Sequence, residues 1–305
     1  MKRRSENLSQ ADVITATNIS PRKLERWRQQ GLVPIVRQHP RGLGRGRGSI
    51  PHEYPPSAIP TIRRLVELHR QFKKKEECRW RLFCERYPVR IARDLADTLD
   101  QYRALAKQMK SAEDVATKLL PHVKSAYRRR GNPLRVIFPD LSGDDLLSAA
   151  TLVICVVLGI RLPLFDEPNP YPFQVFKRAF GLPKEWPLPP GLFDVFSCMR
   201  EQIHNALLTA SADELQAATA ACRLLSSIFD NPENSRRGAI VVAGAPLPWR
   251  LIKLFSLIWP LPAVRAATVG LVIFGIRGFK SALGDEAVAA FASIASGMSI
   301  TWSEP

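Results

Sequence analysis

Apolar residues recur at every third or fourth position along most of this sequence, which is the spacing that gathers them on one face of an α-helix. The clearest case is Leu215, Ala218, Cys222, Leu225 and Phe229, which keep this spacing for four turns. Eight prolines between positions 162 and 191 predict a connector with one short helix in it. The pattern predicts a mainly α protein in which residues 131–305 form an all-α C-terminal domain. The helices predicted there are 143–158, 171–180, 192–208, 212–229, 249–258, 264–276 and 285–296.

Two short helices with clear start signals are predicted near the beginning of the chain. Ser9 can cap a helix over residues 10–17. Ser20 is an N-cap followed by Pro21 at the first helical position, where the missing N–H of proline costs nothing. A second helix is therefore expected over residues 21–30.

The second helix is predicted to be cationic on its outer face. It should end at Gly31, and Leu24 and Trp27, three positions apart, should face the core. The polar positions between them are then left on the outer side. The cations on that side are Arg22, Lys23, Arg26 and Arg28.

A two-stranded β-wing with a flexible tip is predicted between residues 32 and 56. Three β-branched residues lie within 33–36, four glycines alternate with arginines and a leucine over 41–48, and Tyr54 follows. Arginines on such a thin backbone suit contacts with phosphates or with a narrow minor groove. The arginines of this region are Arg37, Arg41, Arg45 and Arg47.

After the wing, Ser57 is expected to cap a helix that ends in, or passes through, the charged run 73–77. Aromatic residues renew the apolar pattern as far as Pro88. Residues 1–88 are thus predicted to form a winged helix-turn-helix domain. The apolar positions of its third helix are Ile59, Ile62, Leu65, Leu68 and Phe72.

Residues 89–130 are predicted to be a basic helical connector. A helix from Val89 to about Lys110 carries apolar positions at alternating spacings of three and four, as in a coiled-coil seam. The seam is about two and a half heptads long, so both a helix pair within the chain and a dimerisation helix fit it. The seam residues are Ala92, Leu95, Leu99, Tyr102, Ala106 and Met109.

The formal net charge of +16 lies entirely in the first part of the chain. Residues 1–130 contain 30 Lys and Arg against 13 Asp and Glu, whereas residues 131–305 contain 14 against 15. Clustered cations are what phosphate neutralisation and counterion release require. The charge alone fits either a polyanion-binding portion or a solvated basic surface.

The basic helix and the wing together predict contacts with double-stranded DNA. Arginine can pair bidentately with guanine in the major groove, a contact worth about 1–3 kcal/mol of discrimination. Glu25 could accept from cytosine, or pair with Arg22 or Arg28 on its own helix, and we favour the ion pair. The predicted DNA-binding residues are Arg22, Lys23, Arg26, Arg28, Arg37, Arg41, Arg45, Arg47 and Tyr54.

In these features the segment 8–72 resembles the MerR family, the winged helix-turn-helix regulators named for mercury resistance. The family's recognition helix typically carries a leucine, aromatic residues and then Gly-Leu-Leu before a proline, and its wing returns through an aromatic segment into a helix. Leu24, Trp27, Gly31, Leu32, Val33 and Pro34 stand in that order here, and His52-Glu53-Tyr54 precedes the next helix. The resemblance implies dimeric binding to promoter DNA, often with an effector sensed by the C-terminal part.

This segment also departs from the family pattern. Glu25, Arg26 and His52 stand where relatives usually carry an arginine, an aromatic residue and an arginine, and the wing is longer and more basic. The resemblance therefore implies DNA binding, but these departures do not support carrying over the family's sequence preference. No sensor domain is recognised after Arg90.

Other chemistry is weakly represented. Cys78 and Cys84 lie six positions apart, about 240° around a helix, and have no third ligand, so no metal site is predicted. Asp140, Asp144 and Asp145 could suggest a magnesium-binding nuclease cluster, but Ser142 followed by acidic residues is typical of a helix start. We expect no enzymatic activity and no cofactor.

The compartment is predicted from cysteines and apolar runs. Five scattered cysteines without a CxxC pair indicate free thiols in a reducing cytosol, and the first residues lack the apolar core of a signal peptide. The apolar runs 146–160 and 266–276 fall short of the roughly 20 residues that span a bilayer. We therefore expect a cytoplasmic protein without a membrane partner.

These observations predict a sequence-specific DNA-binding protein that acts as a transcription regulator. An architectural or recombination accessory factor is one alternative, and a DNA-anchored scaffold or defence-type protein acting through its C-terminal domain is another. The expected partners are double-stranded DNA, a second copy of the chain, and a protein or small-molecule effector at the C-terminal domain.

Overall fold

A computed structural model describes residues 7–36, 52–89, 91–121, 138, 140–180, 182–187, 192–229, 240–242, 245–247, 249–284 and 301–302. Helices dominate this part of the chain, as the apolar periodicity predicts. The first six are α1 (Gln10–Thr17), α2 (Pro21–Gln29), α3 (Ala58–Gln71), α4 (Lys75–Cys84), α5 (Ala92–Ala106) and α6 (Ala112–Lys118). The next six are α7 (Gly143–Leu158), α8 (Tyr171–Phe180), α9 (Leu192–Leu208), α10 (Ala212–Phe229), α11 (Trp249–Ile258) and α12 (Pro262–Leu283).

The chain divides into two compact units, Met1–Ile91 and Ala92–Pro305, called unit 1 and unit 2 below. Unit 1 is built on α1 to α4 and unit 2 on the remaining helices. This division assigns the predicted connector, from residue 92 onward, to the second unit.

Unit 1 begins with two capped helices joined by a three-residue turn. Ser9 and Asp12 form a reciprocal capping box at the start of α1, and Asn18 ends that helix in the left-handed conformation, with φ 52° and ψ 37°. The Ser20 hydroxyl accepts from the backbone N–H of Lys23 at the start of α2. These local bonds explain why the predicted bounds of both helices agree with the structure to within one residue.

The core of unit 1 is formed by the inner faces of α1 to α4 and by the segments on either side of residues 37–51. The side chains of Leu24 and Trp27 are buried, as predicted. They pack in one cluster with apolar residues from the other elements of the unit. That cluster includes Val13, Leu32, Tyr54, Ile62, Leu65, Leu68 and Leu82.

The predicted two-stranded wing is not seen in the described residues 32–36 and 52–56, which contain no strand. Tyr54 instead forms an isolated antiparallel bridge with Leu8, with N···O distances of 2.8 and 2.9 Å. One further bond, from the backbone N–H of Val36 to the carbonyl of Glu53, joins the two segments. The tip of the predicted wing lies outside the described residues.

Helix α3 ends before the charged run instead of passing through it. Phe72 is extended, with φ −120°, and α4 starts at Lys75. Ser57 makes no side-chain capping bond, contrary to the prediction, because its backbone is already helical, and its carbonyl accepts from the Thr61 hydroxyl. Arg64 of α3 donates two bonds of 2.6 Å to the Glu85 carboxylate, which joins α3 to the end of α4.

In unit 2 the apolar seam of α5 is covered within the chain. Leu95, Ala96 and Leu99 are buried, and α5 packs against α9 and α12. Helix α5 thus has helix partners within its own chain, as in the intramolecular alternative for the seam. Gly270 of α12 lies so close to α9 that a Cβ would come within 2.4 Å of the Ile203 side chain.

Unit 2 also contains a short antiparallel sheet, so the prediction of an all-α C-terminal domain is wrong. Strands β1 (Ile240–Val242), β2 (Ala245–Leu247) and β3 (Thr301–Trp302) are ordered β2-β1-β3, with Ile240 opposite Leu247 and Trp302. Strands of two or three residues are too short to show a period-two pattern.

Helix α12 is longer than predicted, and the predicted helix 285–296 lies outside the described residues. Among the described helices, none combines the length and apolarity needed to cross a membrane.

Candidate nucleic-acid interface

Helix α2 presents cations on the face opposite to its buried residues. Arg22 and Arg26 are exposed and lie four positions apart, so they are neighbours on the helix surface. Lys23 is half-buried, because its Nζ lies 4.6 Å from the centre of the Trp27 ring. Within the described residues, neither Arg22 nor Arg26 makes an ion pair.

The same helix is held at both ends and along its inner face. Ser20 caps its start, and the side chains of Leu24 and Trp27 are at most 2% exposed. At its other end the guanidinium of Arg79, from α4, donates to the carbonyl of Gln30. A cation at a helix C-terminus is favoured by the partial negative charge there. The exposed arginines are therefore presented by a helix that is fixed by its surroundings.

Glu25 forms an ion pair with Arg28 and thereby reduces the number of available cations. The Arg28 Nε lies 2.9 Å from Glu25 Oε2, and the Gln29 amide donates to the same carboxylate at 2.7 Å. The hydrogen bonding between Arg28 and Glu25 lowers the pKa of Glu25 and raises the pKa of Arg28. The favoured interpretation of Glu25 as an ion-pair partner is confirmed, and its partner is Arg28.

Arg28 is consequently a poorer candidate for a DNA contact than its sequence position indicates. Its side chain is only 14% exposed, and its charged group is bonded to Glu25. The exposed cationic face of α2 is therefore reduced to Arg22, Arg26 and the partly covered Lys23.

The structure corrects the prediction that Tyr54 contacts DNA. Its side chain has no exposed area and lies in the core of unit 1 with Leu24 and Trp27. Burial raises the pKa of its hydroxyl. The sequence indicated only an aromatic residue beside a basic loop, and its burial follows from the bridge to Leu8, which is distant along the chain.

The four predicted wing arginines, Arg37, Arg41, Arg45 and Arg47, lie outside the described residues. The described residues next to them show that Val36 and Glu53 are joined by a backbone hydrogen bond of 3.0 Å. The basic segment 37–51 is thus attached at both ends to the same unit that carries α2.

A groove at the C-terminal end of α2 brings together cations that the sequence did not connect. Its volume is about 190 Å³, and it is bounded by α2, the end of α3 and the start of α4. In the sequence, the lysines 73–75 indicate only a charged run in which a helix ends or through which it passes. The polar side chains around this groove, called the cationic groove below, are Arg26, Gln30, His69, Lys73 and Lys75.

Within the described residues no cluster of histidine, cysteine or acidic side chains could hold a metal ion. Cys78 is buried and its thiol donates to the Phe72 carbonyl at 3.3 Å, while burial raises the pKa of that thiol. Asp145 caps α7 through Ser142, which confirms the interpretation of this acidic segment as a helix start. Tyr171 and Arg178 occupy the remaining acceptor positions of Asp145.

In unit 2, a small cavity lies between α5, α7, α9 and α12. Its volume is about 20 Å³, which is close to the space that one water needs and far below the roughly 300 Å³ of small ligand pockets. Its lining residues include Leu99, Tyr102 and Arg200. This cavity does not have the size of an effector site.

No protein-family model matches the chain, and no curated protein or solved structure matches it.

Proposed function

We propose that unit 1 binds double-stranded DNA and that α2 enters the major groove as the recognition helix of a transcription regulator. This proposal is carried by the exposure of Arg22 and Arg26 on a helix whose opposite face is buried in the core of unit 1. A helix fits the major groove, and arginine is the residue that most often reads guanine there.

The charge of unit 1 supports binding to a polyanion. Residues 1–91 contain 21 Lys and Arg against 8 Asp and Glu, so most of the net charge of the whole protein lies in this unit. A protein that neutralises several phosphates releases their counterions, and its affinity then falls steeply with salt. The arginines of segment 37–51 would add contacts with the backbone or with the minor groove.

The experiment has two parts, and the first is a duplex-binding assay. Full-length protein should bind a random duplex, and log Kd should rise linearly with log salt concentration. Arg45→Ala with Arg47→Ala should make this dependence shallower. If the full-length protein has no affinity for duplex DNA even at low salt, the proposal is wrong.

The second part tests sequence reading. Sites are first selected from a random duplex pool, and a palindromic result would also indicate a dimer. Arg22→Ala and Arg26→Ala should each weaken binding to a selected site by about 1–3 kcal/mol and binding to random duplex by much less. Arg70→Ala is the matched control, because Arg70 is an exposed cation on α3 outside α2. Equal losses on both kinds of duplex would make α2 a phosphate-binding helix and favour an architectural role.

A further inference from the structure

The cationic groove combines charge from three separate elements of unit 1. Arg26 comes from α2, His69 from α3, and Lys73 and Lys75 from the turn between α3 and α4 and from the first position of α4. The edge contact between the Trp27 and His69 rings, with centroids 6.1 Å apart, lies beside them. Three cationic residues and a histidine that are distant in sequence therefore line one small volume.

Among the described residues, no acidic side chain lines this groove. Of the carboxylates nearest along the chain, Glu25 is bonded to Arg28 and Glu77 to Arg81. The third, Glu76, follows Lys75 directly, is exposed and does not line the groove. The residues of unit 1 outside the described ranges contain eight Lys and Arg and a single acidic residue, Glu6. Unit 1 thus brings like charges together and offers them little compensating charge.

The chemistry of the groove suits a small oxyanion. Arginine binds phosphate oxygens through parallel N–H donors, and lysine binds them as a point charge. A volume of about 190 Å³ is smaller than the pockets that enclose drug-sized ligands, and Leu32 and Leu65 give it apolar walls that strengthen electrostatic attraction.

We propose that the cationic groove binds a phosphoryl group, carried either by the DNA backbone or by a free phosphate compound. The proposal does not require that α2 reads bases, because the residues involved, apart from Arg26, lie outside its exposed face. The three consecutive lysines offer an internal control, since Lys73 and Lys75 line the groove and Lys74 does not.

The first arm of the test uses inorganic phosphate and the full chain. Phosphate should raise the thermal unfolding midpoint relative to chloride at equal ionic strength, because a ligand that binds only the folded state stabilises it. Lys73→Gln and Lys75→Gln should each weaken phosphate binding by about tenfold, the effect of one charge-assisted hydrogen bond. Lys74→Gln should change it less than twofold.

The second arm identifies the source of the phosphoryl group. If the groove holds a DNA phosphate, Lys73→Gln and Lys75→Gln should each reduce the salt slope for a 20-base-pair duplex by about one, and Lys74→Gln should not. If it holds a free phosphate compound, the three variants should bind duplex equally while phosphate stabilisation is lost in the two groove variants.

The proposal is overturned if neither phosphate stabilisation nor the duplex salt slope depends on Lys73 and Lys75 more than on Lys74. Complete absence of duplex binding would reject the proposed function of unit 1. The phosphate experiment alone would then test whether the groove binds a phosphoryl group.

Discussion

Tyr54 is the residue whose placement differs most from its predicted role. A side chain without exposed area cannot reach DNA, and within the described residues its hydroxyl has no hydrogen-bond partner. An unpaired buried hydroxyl costs about 1–3 kcal/mol. The ring of Tyr54 thus stabilises the core through its apolar area, and its oxygen opposes that stabilisation.

Tyr54→Phe should therefore keep or raise the stability of the protein, by up to about 1 kcal/mol, and should leave duplex affinity unchanged. Urea denaturation and a duplex-binding titration measure the two quantities. Tyr54→Ala is the contrasting variant, and it should cost about 3–5 kcal/mol because it leaves a cavity. If Tyr54→Phe lost duplex affinity at unchanged stability, the hydroxyl would be shown to take part in DNA binding.

The pairing of Glu25 could be predicted because the two partners lie on one turn of the same helix, where spacing alone brings them together. In contrast, the sequence could not predict the burial of Tyr54 or the convergence of Arg26, His69 and Lys75 around one groove. They depend on contacts between elements that are far apart along the chain, which a local pattern does not record.

Elements with a local start signal were predicted closely. Helices α1, α2 and α7 begin after a serine whose hydroxyl accepts from the backbone of the first turn, and each follows its predicted limits to within one residue. The break between α3 and α4 was left open, because the lysines around it are acceptable in a helix and no glycine or proline marks the end.

Substitution of two glycines in helix α12 can test whether they are needed for close helix packing. A Cβ on Gly270 would lie 2.4 Å from the Ile203 side chain and 3.0 Å from its carbonyl, whereas a Cβ on Gly275 would meet nothing within 4 Å. Gly270→Ala should destabilise the protein by about 1–3 kcal/mol, since the backbone of α9 must move. Gly275→Ala should stabilise it by about 0.5–1 kcal/mol, because alanine favours a helix interior.

The free energy of unfolding of both variants can be measured by chemical denaturation under the same conditions. The pair forms a matched control, since each variant adds one methyl group to the same helix. If Gly270→Ala is as stable as Gly275→Ala, the close approach of α9 and α12 is not required for the fold of unit 2.

At the scale of the whole molecule, most of the net positive charge lies in unit 1, whereas most of the helices lie in unit 2. Unit 1 holds 21 of the 44 Lys and Arg but only 8 of the 28 Asp and Glu. The charge count along the sequence placed the end of the basic portion at residue 130. Such a count does not show which residues pack into the same hydrophobic core. The structure assigns α5 and α6 to unit 2, so the limit of the charged region and the limit of the folded unit differ.

This difference predicts opposite behaviour for two fragments. A fragment of residues 1–91 keeps all four helices of unit 1 and its core, and it should be a folded monomer that retains most of the duplex affinity of the full chain. A fragment of residues 1–130 adds α5 without α9 and α12, which cover Leu95, Ala96 and Leu99 in the full chain. An uncovered apolar seam of this kind drives self-association. Circular dichroism and analytical ultracentrifugation distinguish the fragments, and a monomeric 1–130 beside an unfolded 1–91 would show that α5 belongs to the first unit.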